Sequence, residues 1–336
     1  MKLLFELSKE HTTLPRAEIL ATLDAERTIS TIIHSTEDVL VVNVPSHQTI
    51  IQRLTERLAF CFIINEFLFS CPATLDDIIR YAKKYPLPAE GSIAIRCNNR
   101  SSSISSEDII DKLGEVYTKN RIVNLRTPDI EIRAVLAEDT IYIGLKKISI
   151  NTHQFQQRRG HLRPFLSPVT LHPKIARALV NLSLVKKQEA LLDPFCGTGG
   201  ILLEAGLLGI QVFGSDIEKK MIEGCRKNLE FYQIKNFQLF CSDISDISRH
   251  VSSVDAVVTD FPYARAATTK GEHLTQLYSR AFQTIAQVLK EKRRAVIGLS
   301  NEDIRCIGEE YLSLIATYPV KSHRSLTRYF VVYKKS

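Results

Sequence analysis

The chain has 336 residues, 44% of them hydrophobic and 24% charged, with 44 Lys and Arg against 37 Asp and Glu for a formal net charge of +7. That length predicts two or three domains, and that composition excludes a disordered, collagen-like or membrane-embedded chain. The mild basic excess by itself identifies no partner; its placement carries the information.

Residues 1–70 read as a compact mixed unit. Leu3–Leu7 is a strand candidate, and Pro15 opens a helix with Ile19, Leu20 and Leu23 on one face. Thr31–His34 and Val39–Val44 predict a hairpin, Gln48–Leu58 a helix and Phe60–Phe69 a further strand. Strand, helix, strand, strand, helix, strand is the ferredoxin-like order.

Residues 71–147 predict a second small domain. Thr74–Tyr85 is helical, with Leu75, Ile78, Ile79 and Ala82 on one face. Ser92–Arg96 is a strand, Ser106 is placed as the cap of a helix over Glu107–Val116, and Ile130–Leu136 pairs with Thr140–Leu145. Residues 148–170 have no clear period and predict an ordered basic linker. After Asp139 no acidic residue occurs until Glu189, a one-signed stretch suited to a phosphate backbone. Arg96, Arg100, Lys146, Lys147, Arg158, Arg159 and Arg163 are the candidate RNA contacts.

From residue 171 to 336 strands and helices alternate, as in a doubly wound α/β sheet. The strands are Ala190–Leu192, Val212–Ser215, Phe237–Phe240, Val254–Thr259 and Ala295–Leu299, followed by an antiparallel edge hairpin around Leu314–Pro319 and Tyr329–Tyr333. The seven cysteines are scattered, with no pair at metal-ligand spacing, so no metal is expected and a reducing cytoplasm is. The first residues lack the long apolar core of a signal peptide, and no apolar run approaches the ~18 residues of a membrane span.

The densest signal is Asp193-Pro194-Phe195-Cys196-Gly197-Thr198-Gly199-Gly200, between a strand and a helix. Glycines there let the backbone turn tightly and approach a ligand. Asp193 would repel a pyrophosphate and suits a ligand with a cationic end, such as the amino-acid part of S-adenosylmethionine. A Walker loop is excluded, because no Lys-Ser/Thr follows. Cys196 reads first as a small packing residue of this loop. Asp216 ends the next strand, where a carboxylate can accept both ribose hydroxyls, and Asp243 ends the third, within reach of an adenine amine. Ile217 and Ile244 follow them into the same crevice. Each acid alone would also serve as a helix cap.

The fourth strand ends in Asp260-Phe261-Pro262-Tyr263. This segment resembles the (Asp/Asn)-Pro-Pro-(Tyr/Phe) motif of methyltransferases that act on exocyclic amines. The lone pair of an aryl amine is delocalised into its ring. Its protons must therefore be held by acceptors so that nitrogen pyramidalises toward the methyl donor. The resemblance gives that role to Asp260 and a carbonyl at Phe261 or Pro262, and makes Tyr263 the stacking surface for an extruded base. Phe261 stands where the family carries Pro, which predicts a freer loop.

The whole chain is similar to archaeal tRNA guanosine-10 N2-methyltransferases. The likeness lies in SIAIRCN (92–98), SSEDIIDKLGEVY (105–117), VNLRTPDIEIRAVL (123–136), RRGHLRPFLSPVTLHPKIARALVNL (158–182), DPFCGTGG and DFPYARA. It implies an N-terminal ferredoxin-like domain, a THUMP RNA-binding domain, a linker and a class I methyltransferase domain of Rossmann-like fold. S-adenosylmethionine is the implied cofactor, with Thr170 and His172 added to its site. Tyr263 is followed by Ala264 and Arg265, where that family has Gly and Arg. A sister family acting on guanosine 6 tends to have Asn at the first motif position, so Asp260 favours guanosine 10. The implied partner is tRNA, with room for a small activating protein as in eukaryotic relatives, no membrane, and a cytoplasmic monomer. Two alternatives stay open at this point. One is the same chemistry on guanosine 6, an rRNA guanosine or a DNA adenine; the other is a non-catalytic tRNA-binding protein.

Overall fold

A computed structural model describes residues 1–45, 48–88, 90–101, 103–167, 170–263, 274–323 and 326–336. The chain divides into two compact units, and neither is a simple stretch of sequence. One comprises Met1–Arg16, Thr28–Thr55 and Phe60–Asn151; the other comprises Ala17–Arg27, Glu56–Ala59 and Thr152–Ser336.

The first half of the chain runs β1 (Lys2–Leu7), α1 (Leu14–Ala25), β2 (Thr31–Ser35), β3 (Val39–Asn43), α2 (Gln48–Arg57), β4 (Cys61–Pro72), α3 (Leu75–Ala82), β5 (Ile93–Asn99), α4 (Ser106–Tyr117), β6 (Ile130–Ala137) and β7 (Thr140–Ser149). The strands form one sheet in the order β2-β3-β1-β4-β7-β6-β5. Its β4-β1-β3-β2 portion is antiparallel throughout, the ferredoxin-like arrangement. The boundary expected at residue 70 falls inside β4. That strand is 12 residues long, pairing with β1 through Cys61–Glu66 and with β7 from Ile63 to Pro72. A buried ion pair crosses the same seam: Arg133 donates to both carboxylate oxygens of Glu6 at 2.9 Å. The cap of α4 is Ser105 rather than Ser106, its hydroxyl accepting the Asp108 N–H at 3.0 Å.

The second half continues with α5 (His153–Gln156), α6 (Pro173–Leu182), β8 (Ala190–Asp193), α7 (Gly200–Gly206), β9 (Gln211–Asp216), α8 (Lys219–Phe231), β10 (Phe237–Cys241), β11 (Val254–Asp260), α9 (Leu274–Val288), β12 (Leu289–Leu299), α10 (Arg305–Glu309), β13 (Ser313–His323) and β14 (Leu326–Lys334). Its sheet order is β10-β9-β8-β11-β12-β14-β13. The pairings from β10 to β12 are parallel and those of β14 antiparallel. β14 lies inside the sheet because Phe330, Val331, Val332 and Tyr333 are buried on both faces, leaving β13 at the edge. β12 begins at Leu289, earlier than its apolar run, since Lys290 and Arg293 find Asp255 at 2.9 Å and Arg293 also finds Glu189 at 2.6 Å. Strand order reverses between β8 and β11, which opens a crevice at their carboxyl ends.

Residues 17–27 and 56–59 are integral to this second unit. Glu18 accepts the Ala59 N–H at 3.0 Å and the Asn181 amide at 2.8 Å, and Arg57 Nε donates to Asn181 at 3.1 Å. The basic linker is folded into the unit as well. Phe155 is buried, with the Arg158 and Arg177 guanidinium carbons 4.9 and 5.7 Å from its ring centroid.

Candidate active site

At the switch point Thr170, Asp193, Phe195, Cys196, Gly197, Thr198, Gly200, Asp216, Ile217, Asp243, Ile244, Asp260, Pro262 and Tyr263 line one cavity of about 230 Å³. Local backbone chemistry explains the convergence. Gly197 and Gly199 have φ of +49° and +80°, left-handed values at which a side chain costs roughly 1 kcal/mol or more. They swing the chain from β8 into α7. Nothing lies within 4 Å of where a Cβ on Gly197 would stand, so the loop leaves room for a ligand to meet its backbone.

Two residues expected in the cavity do not line it. His172 Nδ1 accepts the Lys174 N–H at 3.2 Å as the cap of α6, and its ring packs beside Arg159, with Nε2 3.4 Å from Nε. Gly199 caps α7 and backs onto Cys225, whose Sγ would be 2.5 Å from an added Cβ. It serves the loop's shape and not its face.

The acids stand in different environments. Asp193 is 2% exposed, its Oδ1 accepts the Phe195 N–H at 3.2 Å, and burial pushes its carboxyl up to about 7. The Thr259 hydroxyl counters that rise, while Asp260 and Asp216 add to it. Asp216 accepts the Gly197 N–H at 3.0 Å on one oxygen and the Glu218 N–H at 2.9 Å on the other. Burial raises its carboxyl, with those two N–H groups working against the shift. Partial burial of Asp243 also opposes ionisation. There Arg280, 2.6 Å away, and the Ser245 N–H at 3.0 Å outweigh it and hold the carboxyl below its usual range.

An S-adenosylmethionine molecule presents a cationic amino end, a diol and an adenine. A buried acid, a two-oxygen acceptor at the next strand end, the Ile217 and Ile244 side chains and an open glycine face fit those three parts. Sequence reading missed several lining residues, among them Glu218, Met221 and Leu277. Met221 sits in the first turn of α8, just beyond the Asp216 strand end; nothing local marked Leu277, on α9.

Asp260 ends β11 at the cavity floor. Burial raises its carboxyl; Arg328, with Nη2 3.4 Å from Oδ2, and the Tyr263 hydroxyl, hydrogen-bonded to Oδ1, pull it back. Phe261 and Pro262, which follow it, are held by main-chain hydrogen bonds. Phe261 donates its N–H to Gly298 O at 2.9 Å, a bond that Pro could not make. Its buried ring lies 5.3 Å from Phe195, 5.1 Å from Tyr278 and 5.2 Å from Phe282. The freer loop expected from the missing Pro is thus replaced by a loop anchored through an aromatic cluster. Tyr278 donates its hydroxyl to Pro262 O at 2.8 Å. Ala264 and Arg265 lie outside the described residues.

The candidate RNA contacts separate into two groups. Arg158 and Arg163 are 8% and 5% exposed. Arg158 is spent on Glu204 at 2.7 and 3.1 Å, and Arg163 Nε donates to Arg158 O at 2.9 Å. Both are buried and so are not phosphate contacts; Glu204 is the counter-ion of Arg158 that the local one-signed sequence concealed. Arg100 is largely covered, 4.0 Å from Asp38. Arg96, Lys146, Lys147 and Arg159 keep accessible surface, the first three beside Glu131 at 3.4 and 3.0 Å and Glu66 at 2.5 Å.

Comparison with known proteins agrees with this geometry. The family described as RMKL-like, methyltransferase domain matches residues 160–313, and the THUMP domain matches 72–146. A tRNA (guanine(10)-N2)-dimethyltransferase of Methanothermobacter thermautotrophicus is 35% identical over 334 residues, covering 98% of each chain. One from Pyrococcus abyssi is 33% identical over 72% of this chain and 74% of its own. A tRNA (guanine(6)-N2)-methyltransferase of Archaeoglobus fulgidus reaches 22% over 58% of this chain. Among solved structures, TrmN from Thermus thermophilus superposes with a TM-score of 0.57 at 18% identity, covering 99% of this chain and all of its own, a likeness of fold.

Fold and crevice together define an S-adenosylmethionine-dependent class I methyltransferase joined to a THUMP domain. Within that class the chain belongs to the tRNA (guanine(10)-N2)-dimethyltransferase family.

Proposed function

We propose that the protein transfers methyl from S-adenosylmethionine to the exocyclic N2 amine of guanosine 10 in tRNA, and does so twice, as the names of its relatives at 35% and 33% identity describe. The observation that carries this reading is Asp260, a buried carboxylate at the strand end beside the glycine loop, in the same cavity as Asp193 and Asp216.

The bound cofactor supplies an electrophilic methyl group. The chain does the rest. Asp193 holds the cationic amino end and Asp216 the ribose diol. Asp260 accepts a proton of the target amine. The Pro262 carbonyl already accepts from Tyr278, so the Phe261 carbonyl is the natural second acceptor. For the base to enter, the Tyr263 hydroxyl must leave Asp260 Oδ1, which frees the ring to stack on the guanine. Arg96, Lys146, Lys147 and Arg159 supply the phosphate grip. The working form is read as a cytoplasmic monomer, and transfer by the purified chain alone tests the need for an activating partner.

Asp260→Ala is expected to abolish transfer of labelled methyl to tRNA while tRNA affinity stays within about threefold, because the lost interaction belongs to the transition state. Full activity in that variant removes Asp260 from the chemistry. Nuclease mapping of the labelled product tests the position, and label on any nucleoside other than guanosine 10 refutes it.

A further inference from the structure

Asp260 has a partner that lies outside both the Asp260–Tyr263 motif and the 160–313 span matched by the methyltransferase family. Arg328 stands on β14, two strands away from β11 in the sheet. The strand between them, β12, carries Gly298 opposite both Asp260 and Phe330. A Cβ at Gly298 would collide with Asp260 Oδ1 and stand 3.0 Å from the Phe330 ring. Glycine at that register therefore opens the space into which the Asp260 carboxylate folds, toward β14. There Arg328 Nη2 is 3.4 Å from Oδ2, with side chains 9% and 15% exposed, and its Cζ is 5.3 Å from the centroid of the Tyr263 ring.

We propose that Arg328 is the positioning residue of the transfer reaction, holding Asp260 as an oriented carboxylate so that the incoming amine displaces Tyr263 and not a proton. Arg328 is absent from the residues that line the cavity, so it acts through Asp260 and not on the base. The groups facing Asp260 make its task specific. Tyr263 comes from its own loop, Asp193 from β8, Tyr278 from α9 and Arg328 from β14. Among the described residues Arg328 is the cation of that set. Burial works against ionisation, and Arg328 works for it. A protonated Asp260 would meet the amine with a donor where an acceptor is required. The guanidinium Nε–H is buried without a hydrogen-bond partner.

The inference rests on the reading of Asp260 as amine acceptor, and the test separates the two. Methyl transfer to tRNA is measured from pH 6 to 9 for the full chain carrying no change, Arg328→Met, Arg328→Lys, Asp260→Asn, and Asp260→Asn with Arg328→Met. S-adenosylhomocysteine affinity is measured by calorimetry for each. Arg328→Met is expected to lower kcat about 100-fold at neutral pH with KM for tRNA and cofactor affinity within about threefold, the size of loss seen when one charge-stabilising group is removed. Its acid limb moves to higher pH, because the force lowering the Asp260 carboxyl is gone, so the deficit shrinks as pH rises. Arg328→Lys recovers most of the rate. Asn at 260 accepts without a charge, so there Arg328→Met costs less than about threefold. An unchanged kcat in Arg328→Met, an acid limb that stays in place, or an equal loss in both backgrounds overturns the proposal. Full transfer by Asp260→Ala overturns instead the reading of Asp260 on which it stands.

Discussion

Asp216 and Gly197 are joined by a 3.0 Å hydrogen bond from the glycine N–H to Oδ2, although 18 residues and helix α7 separate them in the chain. The bond ties the end of β9 to the loop after β8 and so fixes the two sides of the cofactor crevice to each other. Each Asp216 oxygen accepts one backbone N–H and keeps a lone pair for a ribose hydroxyl.

If Asp216 holds the ribose diol as proposed, Asp216→Ala removes two charge-assisted hydrogen bonds to the cofactor as well as the one to the loop. The expected loss in S-adenosylhomocysteine affinity is about 100-fold, from roughly 1.5 kcal/mol for each ligand hydrogen bond. Calorimetric titration checks it, and an affinity within threefold of the unchanged chain would place the ribose elsewhere.

If Asp193 holds the cationic end of the cofactor as proposed, cofactor binding depends on pH. Burial sets its carboxyl at about 7, so the anion that a cationic amino group requires is fully present only above that value. Binding is expected to tighten from pH 6 to pH 8, by up to about tenfold per unit below the titration point, and to level off above it. Asp193→Asn should flatten the profile. A profile that weakens with rising pH would mean that the amino end is held by another group.

A truncation at residue 147 would not test the RNA grip. It would strip Glu18 and Arg57 from the catalytic unit, where they bind Asn181. Replacing Arg96, Lys146, Lys147 and Arg159 by Ala in the full chain leaves that network intact. The expected outcome is weaker tRNA binding and a log-affinity against log-salt slope shallower by about 0.7 to 0.9 for each phosphate that is no longer neutralised. An unchanged slope in filter-binding titrations would move the grip to other residues.

Glu204 is the counter-ion of the linker. It is fully buried and meets Arg158 at 2.7 Å and Arg177 at 2.9 Å. Glu204→Ala strands two buried guanidinium groups and should cost about 3–5 kcal/mol of catalytic-unit stability. Urea unfolding followed by tyrosine fluorescence measures this, and a loss under 1 kcal/mol would show that the arginines reach water or another acid.

Much of the molecule was legible in the sequence because the relevant causes are local. Apolar and β-branched runs laid out the strands, the acid-led glycine run announced a cofactor turn, and Asp216 and Asp260 declared themselves by ending a strand. Asp243, by contrast, stands two residues past a strand and caps the turn that follows. Such features depend on neighbours a few residues away. What the chain order could not express was which distant side chains meet. The basic stretch 158–163 read as a phosphate grip because its counter-ion, Glu204, lies beyond the glycine loop. Phe261 read as a loosened motif because the ring cluster and the Gly298 carbonyl that anchor it come from α9 and β12. Arg328, set in an apolar strand whose place beside β12 follows from sheet order alone, was invisible as the partner of Asp260. The sequence determined the cofactor class, the chemistry and the element order; tertiary structure decided which charges face solvent and which face one another. The reason is physical: turns, caps and periodicity arise from short-range geometry, whereas burial and ion pairing depend on strands brought together by packing.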